Sequence, residues 1–152
     1  MASQQLSAHF SLREFTRSAE AARKGIDNTP SPTVVENLVR TAQMLERIRA
    51  LIQSPIRITS GYRCLRLNRA IGSKDTSDHI RGLAADIDAD SFASPFHLAT
   101  TLAPRVDSLA IGQLILEFDE WVHVSTKLPA KPINRILTIN SSGVFPGIKG
   151  KP

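Results

Sequence analysis

The chain has 152 residues with 41% hydrophobic and 22% charged positions, which at roughly 150 residues per domain is about one domain. A folded chain of this size buries roughly 70% of the surface its unfolded form exposes, so a core needs no staples and disorder is excluded as the main state. The 19 basic and 14 acidic residues leave a net charge of +5, which favours polyanions without choosing among nucleic acid, anionic lipid and anionic wall polymers.

Lys and Arg are scattered, and with one Trp and one Tyr no ladder of aromatics offers itself for stacking bases. Nucleic acid is therefore not the expected partner. No apolar stretch approaches the roughly 20 residues of a spanning helix, so no stable membrane insertion is expected. The start, Met1-Ala2-Ser3-Gln4-Gln5, has neither a basic opening nor an apolar core of the kind a secretory signal carries. The expectation is a protein made in a cytoplasm. A lone Cys64 excludes both an internal disulfide and a multi-cysteine metal site.

Ser11 reads as the N-cap of a helix running through Ala22 and ending at Gly25. Beyond the Asn28-Thr29-Pro30 turn, Ser31 caps a longer helix. Pro32 takes its first position, and Val35, Leu38, Val39, Ala42, Leu45 and Ile48 recur at helical spacing to about Ile52. From Pro55 the period changes to two: Ile56, Ile58 and Ser60 alternate with Arg57 and Thr59 in a strand ending at Gly61. Cys64 to Ile71 reads as a short helix, Leu83 to Ala89 as a buried strand and Pro95 to Leu102 as a helix. Leu109 to Phe118 and Trp121 to Thr126 read as neighbouring strands joined by a turn at Asp119-Glu120, and Arg135 to Ile139 as the last strand. The tail, rich in Gly and Pro from Gly143 to Pro152, reads as loose from about residue 141. With helices early and strands late, the expected class is α+β, a small antiparallel sheet backed by helices in one domain spanning 1–152.

Polar residues of chemical interest fall in three segments: Ser60-Gly61-Tyr62-Arg63, Ser77-Asp78-His79 through Asp86, and Glu120-Trp121-Val122-His123. Two imidazoles and a carboxylate suffice for a catalytic Zn²⁺ with its fourth position open, and His79, Asp86 and His123 supply that set. Asp86 lies in the apolar run Leu83-Ala84-Ala85-Asp86-Ile87, where an ionised carboxylate is costly unless paired or hydrogen bonded; a metal removes that cost. Gly82 lets the chain turn tightly and bring Asp86 back toward the imidazole. Glu120, three residues before His123, is the candidate general base. Glu117 competes for the role, but strand alternation suits it better to a structural or supporting place, which favours Glu120. Arg63 is suited to an oxyanion or a substrate carboxylate, and Ser77 to a hydrogen bond with substrate. Singly, each has a plain alternative: a core or surface His, an Asp capping a helix, an Arg paired with Asp88 or Asp90.

Together, Ser77-x-His79-x-x-Gly82-x-Ala84-x-Asp86, the preceding Ser60-Gly61-Tyr62-Arg63 and the following Glu120-Trp121-Val122-His123-Val124-Ser125 resemble the peptidase M15 family of zinc peptidoglycan peptidases. The opening Leu6-Ser7-x-His9-Phe10-Ser11-Leu12-x-Glu14-Phe15 and Gly25-Ile26-Asp27-Asn28-Thr29-Pro30 carries the same likeness, which spans about Leu6 to Thr126. It implies the fold shared by Hedgehog and the D-Ala-D-Ala peptidases, with zinc on His79, Asp86 and His123, Glu120 as catalytic acid/base, and Arg63 and Ser77 on substrate or transition state. Two positions depart from the pattern: Asp78 stands where relatives often have Gln, and Leu83 where many have a polar residue. Asp78 is expected to add negative charge beside the metal and to touch substrate.

The resemblance therefore implies a zinc carboxypeptidase or endopeptidase cutting peptidoglycan stem peptides, and a monomer is expected. The expected role is that of a phage or prophage endolysin reaching the wall after release from the host cytoplasm. Its rival is a virion, tail or wall-binding module that keeps the fold without turnover.

Overall fold

The computed structural model describes residues 3–129 and 134–151. The opening helix is two. Helix α1 (Leu12–Thr16) starts at a capping box in which Ser11 and Glu14 satisfy each other's backbone donors, and α2 (Ala19–Lys24) starts afresh at Ser18. A second N-cap serine next to Arg17, which is itself extended, explains the break. Helix α3 (Pro32–Ile52) follows the expected bounds, with Ser31 accepting from the Val34 N–H and Pro32 at its first position.

Strand β1 (Arg57–Ser60), helix α4 (Leu65–Ala70), a 3₁₀ turn (Asp78–Arg81), β2 (Ala84–Asp88), α5 (Pro95–Leu102) with a second 3₁₀ turn (Ala103–Arg105), β3 (Ile111–Glu117), β4 (Trp121–Thr126), β5 (Arg135–Asn140) and β6 (Gly143–Pro146) complete the described fold. The strands form one sheet ordered β1-β2-β4-β3-β5-β6. The sheet is neither small nor purely antiparallel. Strand β4 is already paired on both edges, so β5 takes the free edge of β3 and runs parallel to it. The expected loose tail contains β6, antiparallel to β5 from Asn140↔Gly143 to Leu137↔Pro146. Beyond it, the Gly147 N–H donates to the Ile136 carbonyl at 2.9 Å and the Lys149 N–H to the Thr138 hydroxyl at 2.9 Å.

Register assigns the two faces of the sheet. Side chains of directly opposed residues share a face. Ala85, Val124 and Leu114 are opposed across β2, β4 and β3, as are Ile87, Val122 and Leu116, and all six pack into the core with Leu38, Ala42, Leu45 and Ile48 of α3. The intervening positions, Asp86, His123 and Ile115, lie on the opposite face, and alternation adds Trp121 and Glu117 to them. Helix α3 thus braces one side of the sheet and leaves the polar side free for chemistry.

Candidate metal centre

His79 reaches the polar face from the 3₁₀ turn, which α3 ties down by two hydrogen bonds. The Asn37 amide donates to the Arg81 carbonyl at 2.9 Å and the Thr41 hydroxyl to the Gly82 carbonyl at 2.7 Å. Gly82 closes that turn in the left-handed region at φ +73°, and a Cβ there would stand 2.9 Å from Val34 Cγ1 and 3.0 Å from the Val34 carbonyl oxygen. The chain needs a residue with neither side chain nor φ restriction to pass this close to α3. The expected tight return from His79 to Asp86 is therefore present, and its tightness comes from the helix behind it.

His79, Asp86 and His123 meet with 2%, 8% and 7% of their surface exposed. Asp86 Oδ1 lies 3.0 Å from His123 Nδ1 and 3.3 Å from His79 Nε2, and the two imidazole nitrogens lie 3.2 Å apart. The other nitrogen of His79, Nδ1, is 2.6 Å from the Gly61 carbonyl. A carbonyl only accepts, so Nδ1 carries the proton and Nε2 presents a bare lone pair to the cluster. One proton among three such atoms cannot make a linear bond to each, whereas a cation at their centre contacts all three. Ligands at roughly 2.0–2.1 Å around a tetrahedral zinc stand about 3.3–3.4 Å apart, close to the spacings found. The donor set fits a zinc ion.

Electrostatics agrees with the geometry. Burial raises the Asp86 carboxyl, but its close contacts with the His123 and His79 imidazoles outweigh that and hold the group well below the usual carboxylate range. Burial pushes the His79 imidazole below its ordinary value, against the pull of Asp86. The cluster therefore rests as a carboxylate with His79 uncharged, the state a divalent cation requires.

Other candidate residues are placed less uniformly. Arg63 is half-buried, its Nη1 3.4 Å from the Ser60 hydroxyl and its buried Nε without a partner. Burial lowers its pKa while the charges of Asp86 and Glu117 raise it, so its guanidinium lies within electrostatic reach of both carboxylates. Ser77 caps the 3₁₀ turn, its hydroxyl accepting from the His79 N–H at 3.3 Å; it positions the ligand. Asp78 turns to Arg81, with an ion pair at 2.7 Å. Arg81 therefore offsets the negative charge that Asp78 brings to this turn.

Besides the ligand candidate Asp86, the polar face carries the carboxyl group of Glu117. Burial raises its pKa and the charge of Asp86 raises it further, while His123, the Trp121 indole and Arg63 draw it down, for a net upward shift. Glu120 is exposed in the turn after β3. The expected alternation put the turn at Asp119-Glu120; the structure pairs Glu117 directly with Trp121 across a loop of Phe118, Asp119 and Glu120. That displacement by one residue turns Glu117 toward the ligands.

A family model described as Peptidase M15 matches residues 8–125. The chain belongs to the peptidase M15 family. The match takes in all three metal-capable residues, Arg63 and both glutamates, and membership carries metallopeptidase chemistry in general. No curated protein matches the chain.

Proposed function

We propose that this M15 peptidase is a zinc enzyme that hydrolyses an amide bond in the peptide stem of bacterial peptidoglycan, acting on the wall as a monomeric phage or prophage endolysin. The observation that carries the catalytic reading is the convergence of His79 Nε2, Asp86 and His123 Nδ1 within 4.8 Å of one another, beside a carboxyl group whose pKa is raised. Bound there, zinc would supply Lewis-acid polarisation of a carbonyl and lower the pKa of a water from 15.7 to about 7.

The chain's own residues supply the rest. The raised pKa of Glu117 suits a group that takes a proton from the attacking water and returns it to the leaving amine. This assigns the general-base role to Glu117 in place of Glu120. The half-buried Arg63 guanidinium, with its unpartnered Nε, is suited to the oxyanion or to a substrate carboxylate, interactions that strengthen where water is excluded. The Gly61 carbonyl fixes the tautomer of His79. A net charge of +5 favours accumulation on an anionic wall.

Mass spectrometry of purified peptidoglycan digested by the zinc-loaded protein tests this directly, beside a chelated control, Glu117→Gln and Glu120→Gln. New fragments that require zinc and Glu117 but not Glu120 are expected, and their masses identify the bond. A folded, zinc-binding protein that releases no fragment from walls of either chemotype would refute the reading and turn attention to a non-catalytic wall or virion role.

A further inference from the structure

We propose that a cavity of about 270 Å³ at the tip of the β3–β4 hairpin, walled by Phe118 and rimmed by Asn140, Ser141 and Lys149, is a binding site for one sugar ring of a glycan strand. The choice of a glycan rests on the peptidase reading above; the site itself rests on four observations.

The turn that presents Phe118 is an expensive one. The Glu120 N–H donates to the Glu117 carbonyl at 3.0 Å, and both residues between them are left-handed, Phe118 at φ +55° and Asp119 at φ +52°. Asn-Gly or Asp-Gly closes such a turn readily, and a bulky residue at positive φ is an outlier. Strain of this kind persists where something other than local stability holds it. The Phe118 ring gains little from burial, since 48% of the residue is exposed. It stands with its centroid 6.0 Å from that of Trp121, and forms one wall of the cavity over the Leu116 floor.

Polar groups at the mouth are largely unspent. The Asn140 side-chain oxygen Oδ1 accepts from the Ser142 N–H at 2.8 Å, and its N–H₂ makes no hydrogen bond among the described residues. Lys149 has no carboxylate partner among the described residues, whereas Lys151 stands 3.8 Å from Asp119. A purely apolar ligand would leave these donors unmatched, and a small bare anion would leave the aromatic wall idle. A pyranose uses both, its C–H face against the ring and its hydroxyl or acetamide oxygens toward Asn140, Ser141 and Lys149.

Size and position complete the argument. The volume falls just short of the roughly 300 Å³ at which drug-sized pockets begin, room for one ring of a polymer. Phe118 directly follows Glu117, so the cavity and the metal centre lie on opposite faces of the same hairpin tip.

The test measures binding apart from catalysis. Peptide-free glycan strands and chitotetraose are titrated by NMR and calorimetry into the wild-type protein, Phe118→Asn and Lys149→Ala. Saturable binding by the wild type is expected. It should weaken tenfold or more in Phe118→Asn, whose melting temperature stays level or rises because Asn suits a left-handed turn, and severalfold in Lys149→Ala. Hydrolysis of a short sugar-free stem peptide should be unchanged in Lys149→Ala. Failure of the wild type to bind either glycan, or full binding by Phe118→Asn, overturns the proposal. Equal competition by poly-glutamate would also overturn it and make the cavity an acidic-peptide site. If the glycan binds as described and no peptide is cleaved from any wall, the peptidase reading fails while the sugar site stands.

Discussion

Gly61→Ala perturbs the metal centre from behind, through a residue that touches neither metal nor substrate. A Cβ at position 61 would run into the Phe15 carbonyl oxygen and stand 2.7 Å from the Phe15 Cα. The same Phe15 carbonyl accepts from the Tyr62 N–H at 2.6 Å, while the Gly61 carbonyl accepts from His79 Nδ1 at 2.6 Å. Overpacking costs roughly 1–3 kcal/mol, and because the obstacle is backbone rather than a movable side chain the upper end applies. Losing the Tyr62 hydrogen bond adds about 1 kcal/mol. The expected destabilisation is therefore about 3–4 kcal/mol, a large part of the roughly 5–15 kcal/mol that holds a domain folded. Moving the carbonyl that orients His79 should also weaken zinc binding about 10- to 100-fold, as loss of such supporting contacts does elsewhere. Urea unfolding followed by circular dichroism, in excess chelator, isolates the first effect, and competitive zinc titration of the folded variant reads the second. Stability within about 0.5 kcal/mol of wild type, the ordinary range of an innocuous surface change, together with an unchanged zinc dissociation constant, would refute the reasoning.

Glu117→Gln should lower kcat by about 10²- to 10⁴-fold, the usual contribution of a general base, with zinc content retained, while Glu120→Gln stays within about twofold; stem-peptide turnover compares them. The upward shift of Glu117 also has a stability consequence. A carboxyl whose folded pKa exceeds its unfolded value favours the fold most below the unfolded pKa, and that contribution is lost as pH rises through the folded pKa. In metal-free protein, Glu117→Gln should therefore melt higher than wild type at neutral pH, with the gap closing toward pH 4; a gap independent of pH would exclude this cause. Chelation should lower stability by about 4 kcal/mol from a zinc level 1,000-fold above the dissociation constant. At roughly 2–4 °C per kcal/mol for a chain of this size, calorimetry should show a fall of about 8–16 °C.

Helix α3 was legible because two independent signals coincide at its start, the Ser31 cap with Pro32, and a long apolar period confirms them. The metal-capable trio was only suggested by the residues themselves: a carboxylate inside Leu83-Ala84-Ala85-Asp86-Ile87 has few inexpensive explanations, but His123 lies 37 residues from Asp86, and the resemblance to the M15 motifs is what joined the three. Sheet topology was not legible in this way. Nothing local tells β5 to run parallel to β3; that follows from β4 having no free edge. Strand β6 is short, carries Gly143 and Pro146, and leaves Val144 61% exposed, so it has no core pattern of its own and depends on its partner for its existence.

The exchange of Glu120 for Glu117 shows how much a single residue of turn length decides. With a two-residue loop, Asp119-Glu120, Phe118 would oppose Trp121 and share the face of His123, and Glu117 would point into the α3 side. With the three-residue loop found, Glu117 opposes Trp121 and the whole strand changes face, because side-chain direction has a period of two. The loop length was hidden because the turn is closed by Phe118 and Asp119 at positive φ, where Asn and Gly are the usual signals. The residue that concealed the register is the one the cavity presents to solvent. Local sequence logic failed at Phe118, where a strained side chain is held for a task outside the fold itself, and that failure carried over to its neighbour Glu117, on which hydrolysis should depend.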